Sequence, residues 1–125
     1  MPKKNKMVKN KPVFTLKHPA GFTQDVVFVV DTYSDNQNLY LGLEEADTGE
    51  PFTNITRNFG KLELYTANIK NVDENEGMVQ FLLENEMGLL MGNMTENYPL
   101  FMFYPSKIQE IDPDNQYGLN KKKQI

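Results

Sequence analysis

The side chains able to do chemistry in this chain are few. It has one histidine, His18, and no cysteine. The missing thiols exclude a disulfide scaffold, a thiolate zinc site and a cysteine nucleophile. His18 sits in a His18-Pro19-Ala20-Gly21 turn, and spacing supplies no catalytic or ligating partner for it. It reads as a surface turn residue. Glu44, Glu45, Asp47 and Glu50 gather around one turn. Such carboxylates could hold a hard cation or serve as an acid and base pair. An acid-rich hairpin end is the plainer reading and is the one taken. Asp112-Pro113-Asp114 begins like a calcium loop but fails at its sixth and twelfth positions, where Tyr117 and Lys123 stand instead of Gly and Glu. Gly88 and Gly92 lack the Lys-Ser/Thr of a phosphate loop. Asn54-Ile55-Thr56 and Asn93-Met94-Thr95 match the glycosylation triplet. No apolar segment follows the basic first residues as a secretory signal requires, so both triplets read as chance. The expectation is no catalytic residue, no cofactor, no metal, and hence no enzyme.

Charge is distributed unevenly. The net charge is −4 over 125 residues. Residues 1–17 carry Lys3, Lys4, Lys6, Lys9, Lys11 and Lys17 and no acid, and Lys121, Lys122 and Lys123 lie near the other end. Between them only Arg57, Lys61, Lys70 and Lys107 stand against all 17 acids, which leaves residues 18–120 at −13. Lys3, Lys4, Lys6, Lys9, Lys11, Lys121, Lys122 and Lys123 are therefore candidate nucleic-acid contacts, because lysines release condensed counterions from a phosphate backbone. Solvated, flexible ends are the reading taken ahead of that one, since such segments lack the apolar groups that offset ordering entropy. Arg57 is the only arginine, which argues against sequence-specific base readout. Asparagine occurs fourteen times, a usage that the fold as read does not demand.

The elements that would position these residues can be read from periodicity. Residues 1–12 read as a basic flexible arm, 13–112 as a single α+β domain and 113–125 as a basic flexible tail. Val13–Lys17 reads as a short strand. Val26–Tyr33 reads as a central strand with both faces apolar. Leu39–Leu43 alternates, a turn follows at 46–51, and Phe52–Phe59 returns as the next strand. Leu62–Tyr65 and Asn68–Val72 are weaker strands. Asp73 and Glu76 have the spacing of a capping box, and an apolar stripe follows from Met78 to Leu83. This predicts one helix over about 74–87, closed by Gly88 as the residue past its end. Leu89–Asn97 reads as a loop. Tyr98–Tyr104 reads as an aromatic strand with Phe101 and Phe103 on one face, and Pro99 marks its start or a sheet edge. Tyr98, Phe101, Phe103 and Tyr104 could stack bases, but only Lys107 is near, so core packing is the better account. Ile108 and Ile111 pin a short terminal turn. The fold class is α+β, a mainly antiparallel sheet of about five strands with one helix on a face. Val26, Phe28, Val30, Leu39, Leu41, Leu43, Ile55, Leu82 and Phe101 should form its core.

The order of these segments is similar to that of a known family. YSDNQNLYLGL at 33–43, GEPFTNITRNF at 49–59, ENEMG at 84–88 and YPLFMF at 98–103 resemble small uncharacterised proteins encoded on conjugative elements, plasmids and phages of low-GC Gram-positive bacteria. The resemblance spans about residues 25–111, and Gly49 to Asn58 is its most specific part. Arg57 departs from an apolar preference of that family, and Met87 from a glycine. The resemblance implies a bacterial cytoplasm and mobile DNA, and it brings no activity with it.

Three functional classes follow. The leading one is an accessory protein of a mobile element acting through surface contacts with a protein partner. The second is a nonspecific nucleic-acid binder using the lysine-rich ends. The third, ranked last, is an enzyme, and an acidic decoy that mimics DNA, as antirestriction proteins do, is a subclass of the first. No membrane partner is expected, because the longest apolar run, Val26 to Val30, is too short to span one.

Overall fold

Strand-forming sequence dominates the chain, and in its computed structural model, which describes residues 7–117, every strand pairing is antiparallel. A short hairpin pairs β1 (Met7–Val8) with β2 (Lys11–Pro12). The Lys11 Nζ donates to the Phe28 carbonyl at 2.7 Å, which ties this hairpin to the strands that follow. Four strands then form one sheet in sequence order: β3 (Phe14–Lys17), β4 (Thr23–Thr32), β5 (Leu39–Glu45) and β6 (Pro51–Asn54). The register places Val26, Phe28 and Val30 opposite Glu45, Leu43 and Leu41.

The second sheet has the order β7 (Thr56–Arg57), β8 (Thr66–Ile69), β10 (Leu100–Phe103), β9 (Gly88–Leu90). The single sheet with a single helix is thus corrected to several sheets and two α-helices. The reason lies at Ile55. Residues 51–57 change partners there: β6 pairs with β5, and β7 pairs with β8. Ile55 itself is shared, since its N–H donates to the Leu41 carbonyl and its carbonyl accepts from the Lys70 N–H. The expected strands at 62–65 and 68–72 reduce to β8, and the expected loop at 89–97 begins with β9.

The expected helix over 74–87 is also corrected. Asp73–Asn75 forms a 3-10 turn, the chain passes through Gly77 at φ 88, and helix α1 runs only from Met78 to Glu84. Its N-cap residue, Gly77, offers no side chain, and the Asn71 Oδ1 instead accepts the Val79 N–H of its first turn at 2.9 Å. Its end is a paired-hydrogen-bond closure in which Glu86 (φ 55), not Gly88, takes the left-handed position. The Glu86 N–H donates to the Leu83 carbonyl and the Met87 N–H to the Leu82 carbonyl. Gly88 instead begins β9. The Ile108 and Ile111 turn is a second helix, α2 (Pro105–Ile111), with proline in its first turn, where a missing N–H costs nothing.

All nine residues expected in the core are buried. Phe81 on α1 faces Phe28 on β4 with ring centroids 6.1 Å apart, and Phe14 meets Phe28 edge-on at 5.1 Å. Tyr117 joins the same core, and its hydroxyl accepts the Tyr65 N–H at 2.9 Å. Asn38, which is buried, and Asn71, which is half-buried, correct the expectation that asparagine usage is unrelated to the fold. Asn38 donates to the Gly60 carbonyl and to the Asn58 side chain, and it accepts the Leu62 N–H. Asn71 accepts the Val79 N–H and donates to the Met94 carbonyl. Each satisfies backbone groups, in loops or in the first turn of α1, that no strand or helix bond pairs.

Candidate functional groove

The outward face of β4, β5 and β6 is built from the residues that alternate with the core: Val29 on β4, Tyr40 and Glu44 on β5, Phe52 and Asn54 on β6. The Tyr40 ring lies back across Gly42, and its hydroxyl donates to the Asn54 Oδ1 at 2.6 Å. Any larger residue at 42 would occupy the space of that hydroxyl. Tyr33, just past β4, meets Tyr40 edge-on at 5.6 Å, and its hydroxyl bonds the Thr56 hydroxyl at 2.8 Å. Opposite this wall stands the turn at 70–75. There the Lys70 Nζ meets the Glu74 Oε2 at 2.7 Å, and the fully buried Asn75 donates to the Asn54 carbonyl and accepts the Thr53 hydroxyl. Between the two walls runs an open groove of about 820 Å³ that follows residues 51–57.

Burial pushes the hydroxyls of both tyrosines upward. Tyr33 is raised by desolvation, against the opposing effect of its Thr56 bond and of nearby Arg57. Tyr40 is raised by desolvation first, and then by Tyr33, Asp31 and Glu44. At neutral pH both are therefore neutral hydroxyls. Lys70 is raised and Glu74 lowered by their mutual hydrogen bond, so that pair is fully ionised.

Arg57 closes one end of the groove. Its guanidinium stands 5.6 Å from the Phe59 ring centroid and 5.1 Å from that of Tyr98. The two rings meet edge-on at 5.4 Å. A long contact of 3.4 Å to the Tyr98 hydroxyl is its only hydrogen bond among the described residues, where it makes no ion pair. Phe59 is 61% exposed. The guanidinium is exposed beside two rings and retains N–H donors that no described residue takes up, in a fork that matches a carboxylate or phosphate.

The residues singled out by sequence lie elsewhere. His18 occupies the β3–β4 turn, stacks on Phe22 and accepts the Ala20 N–H. Of the acidic turn, Glu45 accepts the Thr48 hydroxyl, and only Glu44 reaches the groove. Asp112 is buried, and its carboxylate accepts the N–H groups of Gln116 and Tyr117 at 2.8 and 3.0 Å. Among the described residues no three His, Asp or Glu side chains converge as a metal site would require. The aromatic strand divides. Phe101 and Phe103 are buried as core packing implies, but Tyr98 is half-buried over Arg57 and Tyr104 is exposed, which corrects the core reading for those two. Of the candidate lysines, Lys9 is exposed at the β1–β2 turn and Lys11 is engaged with Phe28. Lys3, Lys4, Lys6, Lys121, Lys122 and Lys123 lie outside the described residues. Sequence reasoning missed the groove. The signal available was Arg57 and Phe59, two apart on an extended segment and so on one face.

A family model described as a domain of unknown function, DUF4313, matches residues 27–122, and the chain belongs to that family. No curated protein and no solved structure shows a significant match to it. Among the described residues no helix is long and apolar enough to cross a membrane.

Proposed function

We propose that this DUF4313 protein works by surface contact with a protein partner, without catalysing a reaction, and that the partner seats on the groove along residues 51–57. Arg57 carries the reading. It is the single arginine of the chain, it is braced by two aromatic rings, and no acid among the described residues neutralises it although the surrounding body is acidic. Arginine and aromatic residues supply most binding hot spots, because rigid rings and a planar guanidinium make contact area at little entropic cost. The biological setting we propose is the cytoplasm of a bacterium carrying a mobile genetic element, in which the protein serves an accessory role. Support for that setting comes from the resemblance of the 49–59 and 98–103 phrases.

The test is paired affinity capture from a host lysate with the full chain and with the Arg57→Ala/Phe59→Ala double variant. Both positions are surface-exposed, so the variant should melt as the parent does. We expect a protein retained by the parent and lost from the variant. Equal retention by both overturns the reading. So does capture of nucleic acid that depends on the terminal lysines, or of a restriction component that depends on Glu45, Asp47 and Glu50, with the double variant behaving as the parent.

A further inference from the structure

The groove has unlike ends. Arg57 stands at one end with unspent N–H donors. Glu44 lines the other, directly opposite Pro51 in the β5–β6 register. Its carboxylate makes no hydrogen bond or ion pair among the described residues. Pro51 and Arg57 are six residues apart, and the chain between them bulges against β5 and changes sheets at Ile55, so at about 3.3 Å per residue the two charges lie at most about 20 Å apart. Between them the surface offers the apolar ring of Phe52 and the amide of Asn54, and the one ion pair on the wall, Lys70 with Glu74, is already neutralised.

We infer that the occupant of this groove is an extended peptide segment carrying an acidic side chain over Arg57 and a basic side chain up to six residues away over Glu44. The inference rests on the reading of the groove as the docking site and adds the chemistry of the occupant. An extended segment rises per residue at least as fast as the groove's own bulged chain, so a segment of up to six residues spans the separation of the charges. Opposite charges at the two ends also fix register, because a segment shifted by two residues loses both contacts. A segment bearing acids at both ends would meet Glu44 with a like charge. The lysine-rich ends of this chain would meet Arg57 in the same way.

The experiment uses isotopically labelled full chain and synthetic seven-residue peptides of alternating threonine and valine. One has aspartate first and lysine last, one the reverse, one uncharged amides at both ends, and one its two charges on adjacent residues. Binding is followed by amide and Arg57 Nε–H shifts in NMR titrations. One of the two end-charged peptides should shift Arg57, Asn58 and Glu44 and bind about tenfold or more tightly than the uncharged one, as a charge-assisted contact implies. Arg57→Glu should abolish that preference and restore binding to a peptide whose aspartate is replaced by lysine. Equal binding of all four peptides, no binding at all, or shifts confined to another surface overturns the inference. A captured partner lost on Arg57→Ala/Phe59→Ala, with these peptides failing, leaves the docking site standing and this chemistry wrong. Peptides that bind as expected with no such partner captured uphold the chemistry and remove the partner reading.

Discussion

On β4 and β5 neighbouring residues meet opposite fates. Val26, Phe28 and Val30 with Leu39, Leu41 and Leu43 face inward and are buried with α1 and the second sheet. The residues between them, Val29, Tyr40 and Glu44, face the groove. The inner face is uniformly apolar and close-packed, so its energy comes from excluded water and filled volume. The outer face holds hydroxyls, amides and charges in hydrogen bonds around an opening. The same strands therefore carry a stabilising side and a recognising side. Substitutions should separate them: inner changes should act on melting and outer changes on binding.

The largest effect should come from the inner face. Phe101 is fully buried and its ring lies 4.8 Å from that of Phe103. Phe101→Ala should destabilise by about 3–5 kcal/mol, enough to threaten a domain of this size. Chemical denaturation measures it, and an unchanged midpoint would remove Phe101 from the core.

Two glycines sharpen the contrast next. A Cβ on Gly88 would overlap the Met102 carbonyl oxygen and lie 2.7 Å from the Phe103 Cα. Both are backbone atoms of the paired strand and cannot rotate away. Gly88→Ala should therefore push β9 off β10 and cost about 1–3 kcal/mol. A Cβ on Gly42 would instead overlap the tip of the Tyr40 side chain, and the nearest backbone atom, the Thr53 carbonyl oxygen, lies 3.4 Å away. That tip can swing. Gly42→Ala should cost less, under about 1 kcal/mol, and should break the Tyr40–Asn54 hydrogen bond. A crystal structure of the variant with Tyr40 unmoved would show that the groove wall does not depend on Gly42.

The same contrast explains what was legible in the sequence. Alternation on β5 marks its inner face, because apolar residues two apart have one physical reading, whereas Val26–Val30 on β4 is apolar on both faces and takes its facing from the pairing with β5. The end of α1 was misplaced because glycine is the usual left-handed residue, whereas here Glu86 takes that conformation and Gly88 serves close strand contact. The partner switch at Ile55 has no local signature, since an apolar residue between two polar ones reads as unbroken strand. The groove was illegible for another reason. Tyr33, Phe52, Arg57, Lys70 and Tyr98 come from separate stretches, and each alone is an ordinary surface residue. Only pairing of β5 with β6, and of β7 with β8, brings them together.

The smallest expected effect is a titration on the outer face. The Tyr33 and Tyr40 hydroxyls are held above their ordinary value of 10.0, chiefly by burial, which disfavours the phenolate. In the unfolded chain these hydroxyls ionise near 10. Between that pH and their higher folded values the unfolded state binds fewer protons than the folded one. Stability then falls as pH rises, and below pH 10 the contribution is fully present. Tyr117, on the inner side, is raised in the same direction by burial, so it adds to the fall but belongs to the other face. The Tyr33→Phe/Tyr40→Phe double variant isolates the groove's share. Its melting temperature should decline less steeply than that of the parent from pH 10 to 11, while Lys deprotonation affects both proteins alike. Parallel declines would mean that the two hydroxyls are as well solvated folded as unfolded. The groove wall would then be open to water at both tyrosines, and the distinction between a packed wall and an exposed surface would fail there.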